Sequence, residues 1–267
     1  MERGLHCRPA VIAHRGDSIR APENTLAAVA LAIEAGADMV EIDVCFSADR
    51  QLVVIHDHTL ERTTSGRGPV PALPYAALRL LDAGSWFSPA FAGERLPLLG
   101  EVLDLVRGRL PINIEIKGEA VEAGQAGEPP ADGAADGIEA LCLDAVLARG
   151  MLGEVLFSSF HPLALWRLRR LSLAARLASL LHPPHHAGRS PAEIVGEVGA
   201  QDLHVADEQA TPALAAACRA AGIPLRVYTV NDGARFRQLA GWGIDGVFTD
   251  DPRLLLALRP LSGESSS

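Results

Sequence analysis

The sequence predicts a closed (β/α)8 barrel of the TIM type, class α/β, with a small insertion after the second strand. Three observations carry this. Short β-like runs alternate with helix-like segments along the whole chain. Several runs are near-continuously apolar, as in a parallel sheet covered on both faces. Reactive side chains recur where the runs end, which is where a barrel gathers them. A doubly wound open sheet is the alternative, but its G-x-G-x-x-G turn after the first strand is absent.

The first strand, 10–14, is Ala-Val-Ile-Ala-His and closes on His14-Arg15-Gly16-Asp17. A helix over 24–35 follows Pro22-Glu23 and stops at Gly36. The second strand, 39–46, carries Glu41-Ile42-Asp43. The stretch 47–97 is too long for a simple connection; it holds a β-like run at 52–56, a turn-rich part at 63–71 and an apolar run at 78–87, and reads as an insertion with small strands of its own. A Leu/Val-rich helix at 100–107 leads to the third strand, 112–117, with Glu115 and Lys117 near its end. The Gly-, Pro- and acid-rich stretch 118–137 is expected to be a mobile loop over the mouth. Strands then follow at 155–160, 175–181, 202–206, 225–230 and 246–250. The matching helices lie at 138–149, 161–171, 191–198, 211–221, 232–240 and 252–258, with Gly150, Gly222 and Gly241 as stops. Residues 1–261 are read as one domain and 262–267 as a disordered tail.

Composition narrows the function classes. The 267 residues are 48% hydrophobic and 21% charged, ordinary for a globular protein. A net charge of −9 and an aromatic content of 4% argue against nucleic acid as a partner. No apolar run has the length of a membrane span, so stable membrane insertion is not expected. The first strand begins too early to leave room for a secretory leader, and a cytoplasmic protein is the expectation. Cys7, Cys45, Cys142 and Cys218 show no metal-ligand spacing and read as thiols. Oligomeric state is not encoded in any motif.

The strand ends supply the chemistry. Glu41 and Asp43 are two apart on a strand and so share a face. Glu115 and Lys117 do the same on the third. A lone carboxylate aimed into a barrel reads as half of a buried ion pair. Three of them, with two histidines, fit a hard divalent cation better: Mg²⁺ or Ca²⁺, with Mn²⁺ also admitted. A divalent ion, Arg15 and Lys117 set against three carboxylates leave the site near +1, matched to a singly charged phosphodiester. Arg15 can grip a phosphoryl oxygen through its fork and Lys117 as a point charge. His14 and His56 are the acid–base candidates, since imidazole titrates near neutral pH. His58 reads as a surface residue. His182, His185 and His186 read as a polar loop in preference to a second metal site. His204 is not assigned to the site. The arginines between Trp166 and Arg176 read as a solvated outer helix in preference to a lipid-facing one. Phe160 and Trp86 are candidates for apolar walls.

Read in order, the motifs resemble those of the glycerophosphodiester phosphodiesterase family. They are His14-Arg15-Gly16, Glu23-Asn24-Thr25, Glu41-Ile42-Asp43, His56-Asp57 with Leu60-Glu61-Arg62-Thr63-Thr64-Ser65-Gly66, Glu115-Ile116-Lys117, Ser159-Phe160, Thr229-Val230-Asn231 and Thr249-Asp250-Asp251-Pro252. The resemblance implies a TIM barrel with an insertion after strand two. It implies metal binding by Glu41, Asp43 and Glu115, an acid–base pair of His14 and His56, and phosphate ligands at Arg15 and Lys117. It further implies hydrolysis of a small-molecule glycerophosphodiester to sn-glycerol 3-phosphate and an alcohol. The family usually carries Trp before T-V-N; Tyr228 stands there in this chain and would line the alcohol side. Two other readings are a lysophospholipase D-type reaction and a non-catalytic phosphodiester-binding barrel. The second would be expected to lack one of these side chains, and none is missing.

Overall fold

The structure, a computed structural model, describes residues 8–121 and 137–259. Its strands are β1 (Ala10–His14), β2 (Met39–Phe46), β3 (Leu52–Val54), β4 (Ile112–Ile116), β5 (Val155–Ser159), β6 (Arg176–Leu180), β7 (Asp202–Ala206), β8 (Leu225–Tyr228) and β9 (Gly246–Thr249). The helices are α1 (Leu26–Ala35), α2 (Tyr75–Leu78), α3 (Leu99–Val106), α4 (Ile138–Leu147), α5 (Pro162–Leu171), α6 (Pro183–His186), α7 (Pro191–Val198), α8 (Pro212–Ala221), α9 (Gly233–Trp242) and α10 (Pro252–Leu258).

Eight of the strands are parallel and close on themselves: the sheet runs β1-β9-β8-β7-β6-β5-β4-β2, and β2 pairs back onto β1. Closure leaves no free edge within the barrel. The register sets His14 beside Glu41, and Asp43 beside Glu115, so the reactive strand ends are level. The two faces of the sheet explain the apolar runs. Ile42, Val44, Ile114 and Ile116 point outward beneath the helices, in one cluster with Leu99, Leu103 and Leu165. Val205, Val227 and Val247 do the same against Phe236 and Leu239. Burying one such side chain stabilises the fold by ~1.5–3 kcal/mol.

Several strand ends fall short of their predicted limits. Lys117, Phe160 and Asp250 each lie one residue beyond a strand, and Val230 two beyond. There the backbone leaves the ladder to form the loops of the mouth. α1 starts at Leu26, not at 24, because Asn24 has φ +58° and Thr25 is the N-cap; the Thr25 hydroxyl accepts the Ala28 N–H at 3.2 Å. α9 runs through Gly241, and Gly243, at φ +75°, is the residue that stops it. The expected loop 118–137 lies outside the described residues from 122 to 136, as do the tail and Cys7.

The insertion is present and differs in content. It contributes one strand, β3, antiparallel on β2 with Val54 opposite Val44. The 78–87 run is turn instead of strand, because the Asp82 carboxylate gathers the N–H groups of Gly84, Ser85 and Gly93 at 2.7–2.8 Å. The insertion has its own small core of Val53, Ile55, Leu60, Val70, Leu78 and neighbours. Its exit returns beside β3: the Val54 N–H donates to the Pro97 carbonyl at 2.9 Å, and Val53 bridges to Leu98.

Candidate active site

The loop after β1 is built from strained backbone. Arg15 sits at φ +56° and Gly16 at φ +92°, a region that L side chains enter at a cost. Gly16 is also pressed on α1: a Cβ there would lie 2.5 Å from the Ala28 Cβ and 2.6 Å from its carbonyl carbon. Only glycine fits. This tight turn brings the Arg15 N–H to the Glu41 carboxylate, at 2.9 Å.

Glu41, Asp43 and Glu115 converge as the spacing predicted, with ligand oxygens within 4.8 Å of one another. Glu41 and Asp43 are buried. Burial, then the charges of Asp43 and Glu115, hold Glu41 well above the ordinary carboxylate range. Glu115 is raised by the same causes, burial first and then Asp43. Burial also opposes charge on Asp43, but Lys117, Arg15 and His56, with the Asn24 amide, outweigh it and hold its carboxyl low. Asn24 makes two bonds to this residue: its Nδ2 donates to Oδ2 at 2.9 Å, and its Oδ1 accepts the Asp43 N–H at 3.2 Å. Lys117 Nζ lies 2.9 Å from Glu115 Oε1 and 3.4 Å from Asp43 Oδ1. These charged neighbours hold the ammonium's pKa above its usual value against the effect of burial. Three gathered carboxylates, two of them driven toward protonation by burial and mutual repulsion, are a donor set that a hard divalent cation fits.

Each candidate histidine gives Nδ1 to a carboxylate. His14 meets Asp250 Oδ1 at 2.8 Å and His56 meets Asp57 Oδ1 at 2.6 Å. Both aspartates are held below the ordinary range, Asp250 despite its burial through His14, Asn231 and Ser18, and Asp57 foremost by Arg62. An ionised carboxylate only accepts, so Nδ1 carries the proton in both rings and Nε2 is the atom left for proton exchange.

Behind these pairs stand residues that the sequence reading did not assign. Asp250 takes the Asn231 amide at 2.6 Å and the Ser18 hydroxyl at 3.2 Å. Glu23 takes Arg15 Nη1 at 2.7 Å. Arg62 lies between Asp57 and Glu23 and donates to both. For all but Ser18, their place within the quoted motifs was a signal, and for Asn231 and Asp250 so was their place at strand ends. Three aromatic rings gather in one row: Phe160 meets Tyr228 edge-on at 6.2 Å, and Tyr228 meets Phe248 at 6.3 Å. Burial, then Glu115 and Glu208, push the Tyr228 hydroxyl's pKa up. Trp86 instead joins Phe87 at 5.7 Å within the insertion. A cavity of about 250 Å³ opens beside His56, Asp57 and Lys117.

The other polar features stand outside the gathered carboxylates and the two histidine–aspartate pairs. His204 is buried edge-on to Phe248 at 4.9 Å, and burial, reinforced by Arg226, pushes its pKa well below 6.5. His58 is exposed. His185, His186 and Glu197 do come together. However, Arg189 pairs with Glu197, and His186 Nδ1 accepts the His182 N–H at 3.0 Å. Of the arginines on α5, Arg167 pairs with buried Glu139, Arg169 caps the carbonyls of Ser172, Leu173, Ala175 and Gly199, and Arg170 covers Trp166.

The barrel and the groups at its mouth define a class, the phosphoric diester hydrolases built on a (β/α)8 scaffold. The profile of the glycerophosphoryl diester phosphodiesterase family matches residues 14–254, and the chain belongs to that family. It is 35% identical over 254 residues to a glycerophosphodiester phosphodiesterase of Caldanaerobacter subterraneus subsp. tengcongensis, covering 93% of this chain and 96% of the relative. Among solved structures it is similar to a glycerophosphodiester phosphodiesterase of Agrobacterium tumefaciens, with a TM-score of 0.78 and 33% identity over 93% of this chain and 99% of that one. It is also similar to an Oleispira antarctica phosphodiesterase in complex with the product sn-glycerol-3-phosphate, with a TM-score of 0.81 and 30% identity over 94% and 96% of the two chains.

Proposed function

We propose that the protein hydrolyses glycerophosphodiesters to sn-glycerol 3-phosphate and an alcohol, in a metal-dependent reaction with His14 and His56 as the acid–base pair. One observation carries the reading: two histidines with fixed Nδ1 protons share the mouth with three gathered carboxylates and two cations. Glu41, Asp43 and Glu115 would hold the ion, Mg²⁺ or Ca²⁺, with Mn²⁺ also suited to the oxygen donors. When bound, the ion supplies polarisation of a phosphoryl oxygen and a lowered pKa for an oxygen nucleophile.

The chain's own residues supply the rest. Arg15 and Lys117 bind the phosphoryl oxygens and balance the charge that grows on them. One histidine removes the nucleophile's proton through Nε2, and the other donates a proton to the leaving alkoxide. The nucleophile is water or the neighbouring glycerol hydroxyl, the latter giving a cyclic phosphate that is hydrolysed in turn. Phe160 and Tyr228 form the wall on the alcohol side.

Among the described residues, no helix is long and apolar enough to cross a membrane. Among the described residues, Cys142 and Cys218 are free thiols, which supports a reducing, cytoplasmic setting. The reading is tested by incubating purified protein with glycerophosphocholine and related diesters in Mg²⁺, Mn²⁺ or Ca²⁺ separately. Release of glycerol 3-phosphate is expected with at least one ion and is lost on chelation. No release with any of the three would refute it.

A further inference from the structure

We propose that Arg62 is a positioning residue, whose one guanidinium orients both His56 and Arg15 by forking the two carboxylates behind them. The inference rests on the roles given above to those two residues. Arg62 Nε donates to Asp57 Oδ2 at 2.6 Å and Nη2 to Asp57 Oδ1 at 3.0 Å. On its other edge Nη1 donates to Glu23 Oε2 at 2.7 Å and Nη2 to Glu23 Oε1 at 2.9 Å. Asp57 in turn holds His56 Nδ1 at 2.6 Å, and Glu23 holds Arg15 Nη1 at 2.7 Å. The proposed proton-transfer group and the proposed phosphate ligand are therefore the two ends of one unbroken chain, His56–Asp57–Arg62–Glu23–Arg15.

The chain crosses a structural seam. Glu23 belongs to the loop between β1 and α1, and so to the barrel, while Asp57 and Arg62 belong to the insertion. The insertion packs on the barrel through β3 and bonds Glu101 of α3 through Tyr75 and Arg79, and His56 lies two residues past β3. The double fork fixes the insertion's face to the barrel where the reaction requires it. Four of the five guanidinium N–H groups are committed to these two carboxylates, so Arg62 has little left to offer a substrate. Nor is stability an adequate reason for it. The Arg62 side chain is 44% exposed, and half-exposed ion pairs contribute little to folding. Two bidentate pairs do contribute direction, because the planar fork fixes distance and angle together. Lysine has the charge but cannot hold both carboxylates this way.

The experiment compares wild type with R62K, R62A and D57N. R62K and R62A should each lose about 10–100-fold in kcat, the scale of a misplaced catalytic group, with Tm moving by no more than about 4 °C. The D57N/R62A double variant should be no slower than its slower single parent, because both act through one path. Added guanidinium should restore part of the R62A loss. Nitrogen NMR of the histidine rings should show His56 as the Nδ1–H tautomer in wild type and as a mixture in R62K. R62K at wild-type kcat, or D57N and R62A losses that multiply, would overturn the proposal. The NMR readout separates this failure from that of the reaction itself. An inactive wild type whose His56 tautomer still depends on Arg62 would sink the phosphodiesterase reading and leave the positioning role standing; an active wild type with an unchanged tautomer in R62K would do the reverse.

Discussion

His14 and His56 each give Nδ1 to a carboxylate, at 2.8 and 2.6 Å, yet what stands behind the two carboxylates differs. Asp250 follows β9 and is held by Asn231 and Ser18, neutral groups on loops of the barrel. Asn231 is itself fixed from the other side, where its Oδ1 accepts the Thr249 hydroxyl at 3.0 Å and the Asp250 N–H at 2.8 Å. Asp57 hangs on Arg62 at the surface of an insertion with a small core of its own. One histidine is thus placed by a closed sheet, whose geometry any single hydrogen bond affects little. The other follows Ile55, whose N–H donates to the Asp43 carbonyl at 3.1 Å, and its ring is oriented by charged side chains that bridge the insertion and the barrel. The same local device, an aspartate orienting an imidazole, depends on different physics on the two sides of the mouth.

Predictions can break or sharpen this comparison. The largest effect is expected where the two sides are equal. H14A and H56A should each lower kcat by ~10²–10⁴, the usual contribution of general acid–base catalysis. Steady-state kinetics would show the pairing to be wrong if either variant turned over like wild type. Smaller losses should then separate the sides. D250N and D57N should each cost about 10–100-fold as supporting groups. Combining D250N with R62A should multiply the separate losses, because the barrel side does not use Arg62, whereas D57N with R62A should not. A non-multiplying D250N/R62A pair would mean that the two sides are one network.

The smallest effect concerns pH. Burial, ahead of any charge, lowers the His56 pKa below 6.5; Arg15 and Lys117 act with burial, while Asp43 and the hydrogen bond to Asp57 act against it. A folded-state value below the unfolded one means that this ring stabilises the fold fully above the unfolded pKa and loses that contribution as pH falls through the folded one. D57N removes a group that favours the imidazolium. The limb that His56 contributes to the pH profile of kcat/KM should therefore move to lower pH in D57N. A move to higher pH would contradict the assignment of that limb.

What could be read from the chain, and what could not, follows the same division. The barrel was legible because strands buried on both faces are continuous apolar runs, and because Glu41, Asp43, Glu115 and Lys117 keep the two-residue spacing that shares a face. Strand ends were overrun where Phe160 or Val230 continued an apolar run into a loop, since hydropathy does not register where the ladder stops. Gly241 was mistaken for a stop because glycine inside a helix and glycine after one look alike; the left-handed φ of Gly243 decides it. The 78–87 run looked like a strand, and three N–H bonds to Asp82 made it turn. Arg62 and Glu23 are 39 residues apart, so nothing local in either segment announces their contact. Individual motifs were visible, but the bridge between them required the fold.

The closed base of the insertion has a consequence for how such an enzyme can change. The chain leaves β3 and returns to α3 through neighbouring residues, joined by Val54 to Pro97 and by Val53 to Leu98. A segment whose entry and exit coincide can be exchanged as a cassette, because the barrel sees the same two attachment points whatever lies between them. None of Glu41, Asp43 and Glu115 travels with it, while His56 and its aspartate do. A transplanted insertion would bring a new rim and half of the proposed acid–base pair to an unaltered set of carboxylates, and its one requirement at the far side would be an arginine placed to find Glu23.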